Sequence, residues 1–209
     1  MKRVRNITTM AEMQAALQAA FNAINEYYYN NELEKVVITV KEGRKAGVLG
    51  TFCTAKEWVQ NGKKRHEINI AANYIGSRTV EETIVTLMHE MAHLYNNQNN
   101  IKDVSRSGTY HNKKFKETAE LHGLIIECMP KIGWSATKPT PQTSQWIAEN
   151  IPIKSFKIYK TQQEPTESKT KKKSSMVKKV CPCCGNIARV TKEYTLICGD
   201  CNKEMEVES

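Results

Sequence analysis

Two histidines four positions apart, with a glutamate directly after the first, restrict this chain more than any other stretch: Leu87-Met88-His89-Glu90-Met91-Ala92-His93-Leu94-Tyr95-Asn96. On an α-helix such residues project about 40° apart, so both imidazoles reach one ion. Glu90 then flanks the open coordination position, placed to take a proton from a water that zinc makes acidic. A pattern with three fixed positions also occurs by chance on solvated amphipathic helices, so its surroundings must carry the reading. They do: Thr79-Val80-Glu81-Glu82 reads as a capping box that starts the helix, and Ile84, Met88, Met91 and Tyr95 mark a core-facing side.

Upstream, Thr9-Met10-Ala11-Glu12 reads as another capping box, opening a helix with Leu17, Phe21, Ile24 and Tyr28 as its apolar stripe and an end near Asn30 and Asn31. Three strand-like runs follow, Lys35 to Val40, Gly47 to Cys53 and His66 to Ala71. Turn signals at Glu42-Gly43 and Asn61-Gly62-Lys63-Lys64 separate them, which predicts an antiparallel meander. A helix preceded by such a sheet is the setting of a zincin-type peptidase. After Tyr95 comes an Asn-rich loop, then a helix from about His111 to His122 that Gly123 can cap, and a short strand from Leu124 to Cys128. The run Ser135 to Gln145, rich in Pro and Thr, predicts no regular element; a short helix is expected near Trp146 and a strand near Phe156.

Zinc needs a third ligand from outside the helix. The metzincin spacing is excluded, because Asn96 and Asn99 stand where that class requires Gly and His. Glu117 or Glu120 on the following helix, or His111 at its entrance, remain; His111 is preferred. From about Met10 to Met129 the chain resembles the SprT-like family, a group that includes proteases of DNA–protein crosslinks. The resemblance lies in the N-terminal helix, the strands with Trp58 ahead of the third, the His-Glu-x-x-His helix, and His111 followed by Phe115. It implies zinc held by His89, His93 and His111 with Glu90 as general base. Many members carry glycine after the third histidine, where this chain has Asn112. His66 reads as a strand-surface residue, His122 as a helix C-terminal one. Cys53 and Cys128 read as small core residues, and Tyr95 and Tyr110 as candidate oxyanion partners.

Five of the seven cysteines fall in the last 29 residues. Cys181 and Cys184, then Cys198 and Cys201, form two Cys-x2-Cys knuckles thirteen residues apart, which predicts a zinc ribbon whose metal stands in for a core too small to build; Cys183 is left over. Between the two modules, residues 161–179 are rich in Lys, Ser, Thr and Glu and predict a flexible linker. Of the net charge of +9, residues 151–180 carry nine Lys against two Glu. Positive charge on a connector points to polyanion binding through Lys169, Lys171, Lys172, Lys173, Lys178 and Lys179, with Lys63, Lys64 and Arg65 as a second basic patch.

The sequence thus predicts an α+β protein: a zincin-like metalloprotease domain over 1–160, a lysine-rich linker over 161–179 and a zinc ribbon over 180–209. The expected cofactors are two Zn2+, one catalytic and one structural. The expected function is a zinc metalloendopeptidase acting on protein substrates associated with or crosslinked to DNA, which it would bind without sequence preference. The alternatives are a non-catalytic nucleic-acid-binding regulator with the same fold, and a general intracellular peptidase with no nucleic-acid role. No apolar run reaches bilayer length, so the expectation is no membrane partner and a cytoplasmic location, or a nucleoid or nuclear one if DNA-associated.

Overall fold

A computed structural model of the chain describes residues 4–43, 46–106, 108–160, 177–191 and 194–207. The chain divides into two compact units, 1–162 and 163–209. In the first, β1 (Arg5–Ile7) leads into helix α1 (Met10–Tyr29), whose capping box closes as the sequence predicts: Thr9 Oγ1 accepts from the Glu12 N–H, and the Glu12 carboxylate accepts from the Thr9 N–H. Asn30 ends it in the left-handed region, φ 49°. Leu17, Phe21 and Ile24 are fully buried, with Tyr29 rather than Tyr28 completing the stripe.

Strands β2 (Val37–Lys41), β3 (Gly50–Gln60) and β4 (Lys63–Ala71) form one sheet in the order β2-β4-β3. Of these three strands only β3 and β4 make a hairpin, turning through Asn61 and Gly62, both at positive φ. The meander is therefore corrected: β2 pairs with β4 in parallel, Val37 beside Glu67 through Lys41 beside Ala71. The central place goes to β4, the strand with the longest buried run, His66, Ile68, Asn69, Ile70 and Ala71, while the outer half of β3 stands in solvent. As a result β3 is an edge strand beside the histidine helix.

After the one-turn helix α2 (Ala72–Ile75), helix α3 (Val80–Gln98) carries the histidine motif, and the Thr79–Glu82 capping box is formed. Ile84, Leu87, Met88, Met91 and Leu94 have no exposed surface, so α3 is the axis of the core. A second sheet takes the order β5-β6-β8-β7, from β5 (Val104–Ser105), β6 (Tyr110–His111), β7 (Leu124–Met129) and β8 (Gly133–Pro139). Helix α4 (Lys113–Leu121) sits between β6 and β7, and Gly123, φ 86°, leads out of it. The segment predicted to be irregular is instead β8 followed by helix α5 (Pro141–Asn150), which Thr140 caps with Pro141 in its first turn. Finally β9 (Ile153–Phe156) pairs in parallel with β1.

In the second unit, β10 (Val177–Val180) is flanked by β11 (Ile187–Val190) and β12 (Glu206–Val207), both antiparallel to it. The protein is thus a mixed α+β fold with a small cysteine-rich β region at its C-terminal end. Two of the six linker lysines belong to that region: Lys178 and Lys179 lie on β10, and Lys179 is buried. Their assignment to a flexible linker is corrected, since β-pairing on both sides fixes this segment. Lys169, Lys171, Lys172 and Lys173 lie outside the described residues. Among the described residues, no helix is long and apolar enough to cross a membrane.

Candidate metal centre

Helical spacing brings His89 and His93 to one side of α3, and the β5–β6 hairpin, with Val104 opposite His111, carries the third imidazole to them. The Nε2 atom of His111 lies 3.3 Å from Nε2 of His89 and 3.1 Å from Nε2 of His93. Each ring is oriented from behind through Nδ1. His89 Nδ1 meets Thr137 Oγ1 at 2.8 Å, and that hydroxyl donates to the Ser135 carbonyl, so it accepts from the imidazole. His93 Nδ1 donates to Asp103 Oδ2 at 2.7 Å, and His111 Nδ1 faces the Ile132 carbonyl at 3.4 Å.

With every Nδ1 turned to an acceptor, the protons sit there and three Nε2 lone pairs face one another, an arrangement that lacks a positive centre. A zinc ion fits it: three neutral imidazole nitrogens, each supported by an outer partner. Burial, reinforced by the neighbouring imidazoles, holds His89 well below its usual range, and burial brings His111 down to about 4, so both favour the neutral ligand form. Burial works to raise Asp103, but its bonds from His93 and Asn96 win and leave it below its ordinary value. The Phe115 ring, fully buried, packs 4.5 Å from the His89 and His93 rings and 4.8 Å from that of His111.

A buried polar chain ties the histidine helix to its surroundings. Thr118 Oγ1 donates to Asn96 Oδ1 at 2.7 Å, and Asn96 Nδ2 donates to Asp103 Oδ2 at 3.1 Å. Asn112, at the position where the family often has glycine, has a structural use: its Oδ1 accepts from Lys114 and Phe115 N–H to cap α4, and its Nδ2 donates to the Lys102 carbonyl. Glu90, one residue from the first ligand, is 6% exposed, has a Phe52 backbone N–H as partner, and has no ion pair among the described residues. Burial pushes its carboxyl up to about 7. It lies against Gly50 of β3, where an added Cβ would come within 3.0 Å of Glu90 Oε1.

Among the described residues, Glu117 and Glu120 do not join the histidine cluster, and Glu120 pairs with Lys116 on the face of α4. His66 is not on the surface: it is 2% exposed and bonds Glu34 and the Cys53 carbonyl. His122 is also buried, stacked on Tyr29 at 3.9 Å. Neither Cys53 nor Cys128 is a core residue, since Cys53 is half-buried and Cys128 exposed. Tyr95 packs against Tyr29 and His122, and Tyr110 lies under Arg106 beside Gly133. Asp103 and Thr137 had no short-range pattern to mark them.

The four ribbon cysteines also converge, with all four sulfurs within 4.8 Å of one another. Two matched turns place them. The Gly185 N–H reaches the Cys181 carbonyl and the Asn202 N–H the Cys198 carbonyl, with Gly185 and Asn202 both at positive φ. Backbone N–H groups of Asp200 and Cys201 bring the Cys198 thiol down to about 7, whereas a side-chain hydrogen bond with Cys184 pushes Cys201 up. Four thiols so arranged suit one tetrahedral zinc.

The chain thus carries two candidate metal sites, and the histidine triad fits a zincin active site. Neither the curated proteins nor the solved structures contain a match to the chain. The SprT-like family matches residues 17–129, more than half of the sequence and the whole of the histidine site but for Thr137 and Ile132. With that match and the triad it encloses, the chain belongs to the SprT-like family.

Proposed function

We propose that this protein is a zinc-dependent endopeptidase in which Glu90 is the general base. The observation that carries this is the state of Glu90: a carboxylate buried without a cation partner among the described residues, next to three converging imidazoles. A purely structural metal has no use for such a group, and burying it costs stability. When bound by His89, His93 and His111, zinc supplies Lewis acidity that polarises a carbonyl and acidifies water. The chain's own residues do the rest. Glu90, with its affinity for a proton raised by burial, accepts one from the attacking water and returns it to the leaving amine. The free edge of β3 offers backbone groups along which an extended peptide can lie as an added strand, across Gly50 and past Glu90.

The proposed substrates are proteins on or near DNA. Supporting this is the tip of the β3–β4 hairpin, where Lys63 and Lys64 are exposed and Trp58, 39% exposed, supplies a stacking face. Glu90→Gln in the full chain tests the catalytic reading. It is expected to keep zinc and lose activity on a DNA-binding protein by on the order of 10² to 10⁴, the unchanged enzyme being stimulated by single-stranded DNA. Wild-type protein no more active than Glu90→Gln on any protein, with or without DNA, would favour the non-catalytic regulator.

A further inference from the structure

A second groove, of about 590 Å³, is lined by Glu34, Thr54, Lys56, His66, Asn97 and Gln98. It continues the site along the same two elements. Asn97 follows Glu90 by seven residues on α3, two turns and so the same face, about 10 Å along the axis. Thr54 and Lys56 continue β3 beyond Phe52.

The chemistry of its wall leaves donors over. His66 Nδ1 faces the Cys53 carbonyl at 3.0 Å and its Nε2 faces Glu34 Oε1 at 3.2 Å, so both ring nitrogens point at acceptors. The other Glu34 oxygen accepts from Lys56 Nζ at 2.8 Å. The only carboxylate of the groove is therefore held from both sides. Gln98 is spent on the wall itself, accepting from the Glu34 N–H and donating to the Glu32 carbonyl. Lys56 keeps two of its three N–H donors, and the Thr54 hydroxyl and Asn97 amide have no partner among the described residues. An ammonium, a hydroxyl and an amide around one open space suit a carboxylate.

We propose that this groove is a substrate subsite for an acidic side chain, Asp or Glu, about three extended residues from the bond that is cut. The assignment rests on the peptidase reading and adds sequence preference to it. The experiment uses full-length, zinc-loaded Glu90→Gln protein and labelled short peptides carrying Glu or Gln three residues to either side of a central bond, with binding read by anisotropy at low salt. On one side the Glu peptide is expected to bind roughly fivefold more tightly than its Gln twin. Lys56→Met should bring that ratio to about one and Lys56→Arg should keep it; Lys56 is 40% exposed at its side chain, so neither change disturbs the core. Thr54→Val is the second variant and should lower the ratio in part.

Equal binding of Glu and Gln peptides on both sides, or no binding of either, overturns the subsite, as does a ratio that survives both Lys56→Met and Thr54→Val. A further peptide that ends at that position in a free carboxylate, compared with its amide, separates side chain from chain terminus; preference for the free terminus alone overturns the side-chain assignment. The peptidase reading is judged separately on wild-type protein. A charge preference in binding with no cleavage of any peptide sinks that reading and leaves the groove's specificity standing, whereas equal cleavage of acidic and neutral peptides does the reverse.

Discussion

Asp103→Ala is expected to weaken the histidine-bound zinc by about tenfold to a hundredfold. One carboxylate oxygen receives His93 Nδ1 at 2.7 Å and Asn96 Nδ2 at 3.1 Å, with the Asp103 side chain only 12% exposed. A charge-assisted hydrogen bond in such a place contributes about 1.5–3 kcal/mol. At about 1.4 kcal/mol per factor of ten, its loss gives the same range. Asp103→Asn keeps an oxygen for both donors and loses only the charge, so it should fall at the lower end, near tenfold. The two variants should part on stability as well. Alanine leaves the Asn96 amide, 0% exposed, without its acceptor at a further cost of about 1–3 kcal/mol, and asparagine does not. The assay is competition for zinc with a chromophoric chelator, on a background carrying Cys198→Ser and Cys201→Ser so that one site remains. A zinc affinity for Asp103→Ala within twofold of its background would refute the reasoning.

Phe115→Ala should cost about 3–5 kcal/mol in denaturant unfolding, because the ring fills the space behind all three imidazoles, and should weaken zinc with it; a loss below about 1 kcal/mol would show that the rings are held otherwise. Gly50→Ala puts a Cβ 2.8 Å from Thr86 Cγ2 and 3.0 Å from Glu90 Oε1. Zinc should stay while turnover falls on the order of tenfold to a hundredfold as the carboxylate is displaced; unchanged turnover would remove β3 from the site. Cys198→Ser with Cys201→Ser should lower the metal content from two zinc ions per chain to one by elemental analysis, and a wild-type protein with a single zinc would discard one site.

What could be read in advance was short-range. Both capping boxes, the His89–His93 pair and the Cys-x2-Cys knuckles are patterns within a turn or two, set by local geometry, and each is formed as expected. Strand direction is different: alternation in Val36, Ile38 and Val40 marks a buried face but says nothing of which strand lies alongside, so the parallel β2–β4 pairing was not legible. Two misreadings had a signal available. His66 stands in phase with Ile68 and Ile70, which places it on the buried face, and Thr140-Pro141 is a helix start of the capping-residue-then-proline kind. Thr137, by contrast, reaches His89 across 48 residues, and no pattern of such span marks it.

That span has a temporal meaning. A ribosome adding about 5–20 residues per second needs roughly 2–10 s to pass from His89 to Thr137. During that interval the nascent chain has its histidine helix and gains His111 and then Ile132, but it lacks the hydroxyl that orients His89 until the end. Strand β8 supplies that hydroxyl and Ile132 directly precedes the strand, which pairs with β6 only through His111 beside Gly133. The candidate metal site is therefore complete only once the second sheet has closed. On the proposed peptidase function, newly made protein passes through a built-in latency before its active site is complete.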